Sequence, residues 1–341
     1  MTVAEARAAN PKWDITRSWA LPDVPVREDD ESFADYLRRI GFDDESLGYA
    51  NRAWINASGE SGDRLSAAVS LQVLWLKPTF SDPFYGSPVP SAGKGDYRIS
   101  EGYNALHDGL AEGLDIRLNT VARSVDWSDS PVRVTADDGQ VFTADRVLIT
   151  LPLAVLKANK VQFTPALPEW KQAAIDRLQM APAFKLVYKF AQLIMPRGIT
   201  ALYSAGEPPM WWTPQPHAEG EQVWIALATG DWARDLLALG EDGAIARGLE
   251  TLRGELGQPE LTPVEARIIN WTDDELALGG YSTVPVGGNG LREVLARPAA
   301  GDHGEVLFFA GEATAPNPYA STVHGAYVTG RRAASEILSA L

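Results

Sequence analysis

The chain has 341 residues, 45% of them hydrophobic, and its 30 basic against 45 acidic side chains leave a net charge of -15. That content builds one large or two ordinary cores and excludes disordered and disulfide-framework classes, while the negative charge repels a phosphate backbone and no basic patch offsets it, so nucleic acid is not an expected partner. With no cysteine and four scattered histidines (His107, His217, His303, His324), disulfides, thiolate zinc sites and cysteine nucleophiles are excluded, and no metal-ligand spacing is recognisable.

No run of about 18 apolar residues occurs, and Met1 to Trp13 alternates Ala, Glu, Arg and Asn where a signal peptide needs an apolar stretch. The expectation is a cytoplasmic protein with no membrane span. Its acidic field would mildly attract cationic small molecules such as amines, but such acidity is more often an ordinary solubility device.

In chain order, Ser32 can cap a helix whose Phe33, Tyr36, Leu37 and Ile40 share one face, ended by Gly41. A second helix follows Asp43 or Asp44, and a third carries Leu65, Ala68, Val69, Gln72, Val73 and Leu76 up to Pro78. Proline and glycine make Phe80 to Gly95 a loop. Strands are predicted at Arg98 to Ser100, Asp115 to Leu118, Val121 to Trp127, Val132 to Ala136 and Arg146 to Thr150, with a helix from Tyr103 to Leu110 and a tight turn at Asp138-Gly139. The middle alternates strand-like segments (Lys185 to Phe190, Ala201 to Ser204, Val223 to Leu227, Arg267 to Trp271) with a helix near Asp242 to Leu256. An apolar strand, Val306 to Phe309, then leads through Gly311-Glu312 and a Pro/Asn loop into a helix from Thr322 to Ala340.

That last unit carries the most chemistry. A glycine at the end of an apolar strand lets the backbone approach a ligand closely, and a helix start offers unpaired amides and a positive dipole end to a pyrophosphate or ring carbonyl. Such a turn suits a dinucleotide, and it also occurs in packing with no ligand.

The run Phe308-Phe309-Ala310-Gly311-Glu312-Ala313-Thr314, continued by Thr322-Val323-His324-Gly325-Ala326, resembles the C-terminal flavin signature of the FAD-dependent amine oxidases, the family of monoamine and polyamine oxidases and flavin-dependent histone demethylases. Other segments resemble the family in the same order. These are Arg98 to Leu106, Leu118 to Asp126, Met180 to Phe190, and Asn270-Trp271 through Gly279-Gly280-Tyr281-Ser282. The resemblance implies an α/β (α+β mixed) two-domain fold. FAD-binding parts would lie at 95–150 and 306–341, substrate-domain helices at 1–94, and a substrate-domain mixed sheet with helices at 151–305.

It implies, too, that Lys185 is the catalytic lysine that holds a water beside the flavin. Tyr281 and Thr322 would line the amine site, a threonine standing where the family often has a second aromatic wall. FAD would be contacted by Val121, Trp271, Gly311, Glu312, Thr322 and Val323. Lys185 and Lys189 share strand parity, so periodicity does not separate them. His324 reads as structural. The expected reaction is oxidation of a primary or secondary amine to an imine, with O2 reduced to H2O2.

The family's leading strand, G-x-G-x-x-G turn and helix have no counterpart here: Gly93-Lys94-Gly95 has no third glycine, and Gly287-Gly288-Asn289-Gly290 lies late in the chain. The nucleotide-binding sheet is then expected to be incomplete, with the missing unit supplied by a separate chain in a heteromer. The alternative is a flavin-free interaction protein or a truncated, inactive relative.

Overall fold

A computed structural model describes residues 24–52, 56–75, 99, 101–215, 219–302, 304–317 and 319–340. The predicted loop at Phe80 to Gly95, Pro78, and the ends of the predicted strand at Arg98 and Ser100 lie outside the described residues.

The first three helices, α1 (Phe33–Arg39), α2 (Asp44–Ala50) and α3 (Ala67–Trp75), follow local signals. The Ser32 hydroxyl accepts the Asp35 amide at 3.0 Å, and the Asp43 carboxylate accepts that of Ser46 at 3.0 Å, each answering an amide that a helix start leaves unpaired. Phe33, Tyr36 and Leu37 of α1 pack with Leu47, Leu65 and Leu71 in one core.

The fourth helix, α4 (Tyr103–Ala111), buries none of its residues. It leads to Leu114, Ile116 and Leu118, which are 64%, 54% and 79% exposed. Here the predicted strand Asp115 to Leu118 is corrected to irregular backbone. Alternating side chains prepare a strand, but a strand exists only where a neighbour completes its hydrogen-bond ladder, and no described strand pairs with it.

A four-stranded sheet has the order β3-β2-β1-β5, from β1 (Ala122–Asp126), β2 (Val132–Ala136), β3 (Val141–Ala144) and β5 (Gln162–Thr164). The Asp138-Gly139 turn joins β2 to β3, a short strand that the sequence pattern did not reveal. β4 (Val147–Ile149) lies parallel to β14 (Gly304–Phe309) in a sheet of order β13-β14-β4, with β13 at Ala299–Gly301; among the described residues β4 is paired with a strand on one side only. Ile149, Leu307 and Phe309 of this sheet share a core with α5 (Leu153–Lys157) and α6 (Glu169–Arg177).

The largest sheet has the order β11-β7-β10-β9-β8, all antiparallel, from β7 (Ala183–Phe190), β8 (Ala201–Tyr203), β9 (Met210–Trp212), β10 (Gln222–Thr229) and β11 (Glu265–Asn270). Phe184, Leu186, Tyr188 and Phe190 are buried in one core with Ala233 and Leu236 of α7 (Gly230–Leu237) and Ala244 and Leu252 of α8 (Gly240–Leu256). Lys185, Val187 and Lys189 alternate onto the opposite, partly open face. A short pair, β12 (Tyr281–Thr283) on β6 (Gln179–Ala181), connects this region to the next, and α9 (Leu291–Ala296) and α10 (Val323–Ser339) complete the chain. No helix among the described residues is long and apolar enough to cross a membrane.

Lys171 of α6 is fully buried. Its ammonium donates to the Leu295 carbonyl at 2.7 Å and to that of Arg297, answering carbonyls at the end of α9, and lies 3.8 Å from the Phe309 ring centroid. Burial, reinforced by the charges of Arg332 and Arg297, pulls its pKa from 10.5 to about 7. Between those values the unfolded chain holds a proton that the folded chain lacks, so this group makes stability rise with pH across that window. Lys171→Met keeps the bulk and strands the carbonyls, and is expected to cost about 1–3 kcal/mol in urea unfolding and to flatten the rise between neutral and alkaline pH. Unchanged stability with an unchanged slope would refute this role.

Candidate functional site

At the end of β14 the backbone turns at Gly311, whose φ of +126 lies in the region glycine favours. A Cβ built there would meet nothing within 4 Å, so the turn faces open space. From α10, the Thr329 hydroxyl accepts the Gly311 amide at 3.0 Å, and Arg332 donates to the Phe309 carbonyl. The start of α10 is fixed in turn by Thr322, whose hydroxyl accepts the Gly325 amide at 3.0 Å and donates to the Tyr319 carbonyl at 2.6 Å. The strand end is thus tied to the middle of α10, and the helix start is fixed separately by its own cap.

Beside this turn is a cavity of about 260 Å³, lined by Thr150 and Pro152 after β4, Met180 of β6, the Gly279-Gly280 pair, and Gly311 to Thr314. Gly280 donates to the Ala181 carbonyl at 2.9 Å, and a Cβ on it would collide with that of Ala183. Only glycine allows that approach, which seats the cavity wall against the start of β7, two residues before Lys185.

The Lys185 ammonium lies 5.8 Å from the centroid of the Trp212 ring on β9, within cation–π range. Lys189, of the same parity, is instead paired at 2.7 Å with Glu221. The two lysines thus have different partners, and neither is among the residues lining the cavity. The Tyr281 ring presses on Gly59, where an added Cβ would come within 2.6 Å of it, and burial, with the Glu312 carboxylate nearby, pushes its phenol pKa up.

The remaining residues singled out from the sequence fall as follows. Glu312 lines the cavity, and its carboxylate accepts the Ser282 amide at 3.1 Å and the Ser282 hydroxyl at 2.7 Å. Trp271 follows β11, is 49% exposed, and accepts the Gly279 amide on its carbonyl at 2.9 Å. Val323, half exposed, opens α10. Val121 precedes β1, held by the Asp137 amide at 2.9 Å; of the residues read from the sequence, Gly311 and Glu312 line the cavity, and Val121, Lys185, Trp271, Tyr281, Thr322 and Val323 do not. His324 meets the Tyr319 ring edge-on at 5.7 Å, and burial lowers its pKa. Among the described residues no three His, Cys, Asp or Glu side chains are grouped to hold a metal ion.

Sequence reasoning missed Gly59, Arg292, Thr329 and Arg332. Of these only Gly59 has a local signal, a glycine between two short elements. Arg292 is 4% exposed although its six-residue helix reads as a surface segment.

Residues 31–338 match the family model described as flavin containing amine oxidoreductase. The chain is 34% identical over 240 residues to polyamine oxidase 3 of Oryza sativa subsp. japonica, covering 69% of this chain and 48% of that one. It is 32% identical over 278 residues to lysine-specific histone demethylase 1 homolog 3 of Arabidopsis thaliana, covering 76% of this chain and 16% of the relative. The chain thus matches about half or less of the length of these relatives. In fold it is similar to wild-type putrescine oxidase bound to putrescine, with a TM-score of 0.73, 20% identity, and 96% of this chain and 70% of the other covered.

Proposed function

Because this chain belongs to the flavin-containing amine oxidoreductase family, we propose that it is the substrate-handling part of an FAD-dependent oxidase that converts a primary or secondary amine to an imine. The observation that carries this reading is the cavity between the Gly311-Glu312 turn, the start of α10 and the Gly279-Gly280 wall. Its residues fit the cofactor: an open glycine face at Gly311, and a mainly apolar lining with a few polar groups at Thr150, Glu312 and Thr314.

Bound there, a flavin would supply a two-electron acceptor for the hydride equivalent on the carbon next to the amine nitrogen, with O2 as the final acceptor giving H2O2. Gly311 and Glu312 would hold it at the cavity, Thr322, Val323 and Val121 would contact it beyond the cavity, largely through backbone, and Trp271 would pack against its ring. Tyr281 and Thr322 flank the amine, and the phenol, uncharged at neutral pH and its pKa pushed further up by burial, offers a neutral wall against which the nitrogen sheds water. Lys185 orients a water and places a positive charge where oxygen gains electrons, stabilising the charge that develops on it. Water then hydrolyses the imine. The polyamine oxidase and demethylase relatives, and the net charge of -15, favour an extended, cationic aliphatic amine.

A companion chain carrying the G-x-G-x-x-G unit completes the nucleotide site. Support comes from the surface: α4 buries none of its residues, Leu114, Ile116 and Leu118 are exposed beyond it, and among the described residues β4 is paired with a strand on one side only. The reaction is tested by mixing the flavin-loaded protein anaerobically with a panel of primary and secondary amines. Loss of the flavin's long-wavelength absorbance with at least one amine, and peroxide release on admitting air, is the expected result. A fully loaded protein that no amine bleaches would exclude amine oxidation.

A further inference from the structure

We propose that Arg292 is a positioning residue that fixes the spacing between the two walls of the amine slot. The inference rests on the reading of Tyr281 and Thr322 as those walls. Arg292 of α9 is buried, and its guanidinium reaches three separate segments. One terminal nitrogen, Nη1, donates to the Ser282 hydroxyl at 2.5 Å and to the Glu312 carbonyl at 3.4 Å. The other, Nη2, donates to the Ser282 carbonyl at 3.0 Å and the Ser321 hydroxyl at 3.3 Å. Ser321 closes the network by donating to the Ser282 carbonyl at 2.6 Å.

Ser282 is the residue after Tyr281, and Ser321 is the residue before Thr322. The guanidinium therefore stands one residue behind each wall and bonds both. Ser321 has a φ of +62, unusual for a residue with a side chain, and its hydroxyl bonds sit where that backbone turns into the Thr322 cap. The Glu312 carboxylate accepts twice from Ser282 and lies 4.0 Å from Arg292, so the cavity turn is tied to the same frame. A buried, charge-assisted network of this kind is stiff, and its planar fork addresses two directions at once, which a lysine cannot do.

The test uses the flavin-loaded enzyme as purified, with any companion chain, and compares the wild type with Arg292→Met, Arg292→Lys, Ser321→Ala and Tyr281→Ala. Two readouts are taken: the split between KM and kcat for the amine that best bleaches the flavin, and the affinity of an alkylguanidinium ion followed by its shift of the flavin absorbance. A residue that only supports the fold lowers thermal stability without moving either.

The expected result is a KM raised about ten- to a hundredfold in Arg292→Met, with kcat less affected and the alkylguanidinium weakened in parallel. Arg292→Lys gives no rescue, and Ser321→Ala shows a smaller change in the same direction. If Arg292→Met does not fold, Ser321→Ala decides alone. KM and probe affinity unchanged in Arg292→Met or, failing that, in Ser321→Ala, while Tyr281→Ala alters both, would overturn the role of Arg292. Both readouts unchanged in Tyr281→Ala would remove the wall reading and this inference with it.

Discussion

Replacing Gly311 by valine is expected to strip the flavin from the protein while leaving its fold in place. A Cβ there meets nothing within 4 Å, so the added side chain would project into open space at the cavity lined by Glu312 and Thr314, where the flavin is proposed to bind. A φ of +126 adds a strain of about 1–3 kcal/mol for a branched residue. Strain and occlusion are separable with a control. Gly304, the first residue of β14, has a φ of +91 and equally open space but does not line the cavity. Gly304→Val should therefore lose stability and keep its flavin. Gly311→Val should lose flavin by more than about tenfold at comparable stability, measured as the ratio of flavin to protein absorbance. Equal flavin content in the two variants would show that the cofactor does not sit at this turn.

The second large effect is expected at Lys185. Lys185→Met keeps most of the side chain's bulk and its place on the partly open face of the large sheet, and removes the charge that lies 5.8 Å from the Trp212 ring. With that charge gone, reoxidation of the amine-reduced enzyme by O2 should slow about a hundredfold, in the range found when a single stabilising group is removed. Lys189→Met is the internal control. Its ammonium is spent on an ion pair with Glu221 at 2.7 Å, half exposed, whose loss costs no more than about 1 kcal/mol. Stopped-flow traces in which Lys185→Met is reduced by amine and reoxidised as fast as the wild type would end the lysine's assignment.

What was legible in the sequence is what local rules govern. Ser32, Asp43 and Thr322 each sit where a helix start needs an acceptor, and each provides it. The strand-glycine-helix pattern around Gly311 is likewise local, and the cavity borders it. Less legible are features that depend on distant segments. Asp115 to Leu118 has a strand's alternation, but pairing is decided by a neighbour, and no described strand supplies one. Helices α6 and α7 were missed because their buried residues are few and their polar ones many; Lys171 reads as a surface lysine until Leu295 and Arg297 arrive to accept its protons. Arg292 is the extreme case, since its partners Ser282, Glu312 and Ser321 lie 10, 20 and 29 residues away and nothing in its own helix announces them.

The exposed surface around α4 makes the proposed companion chain directly measurable. The most direct test is native mass spectrometry of the complex formed in its own host by the polypeptide that carries these residues, purified gently. The predicted result is an assembly that releases this polypeptide, a smaller chain bearing a G-x-G-x-x-G turn, and FAD. A flavin-free chain, alone or as a homo-oligomer, would contradict the account.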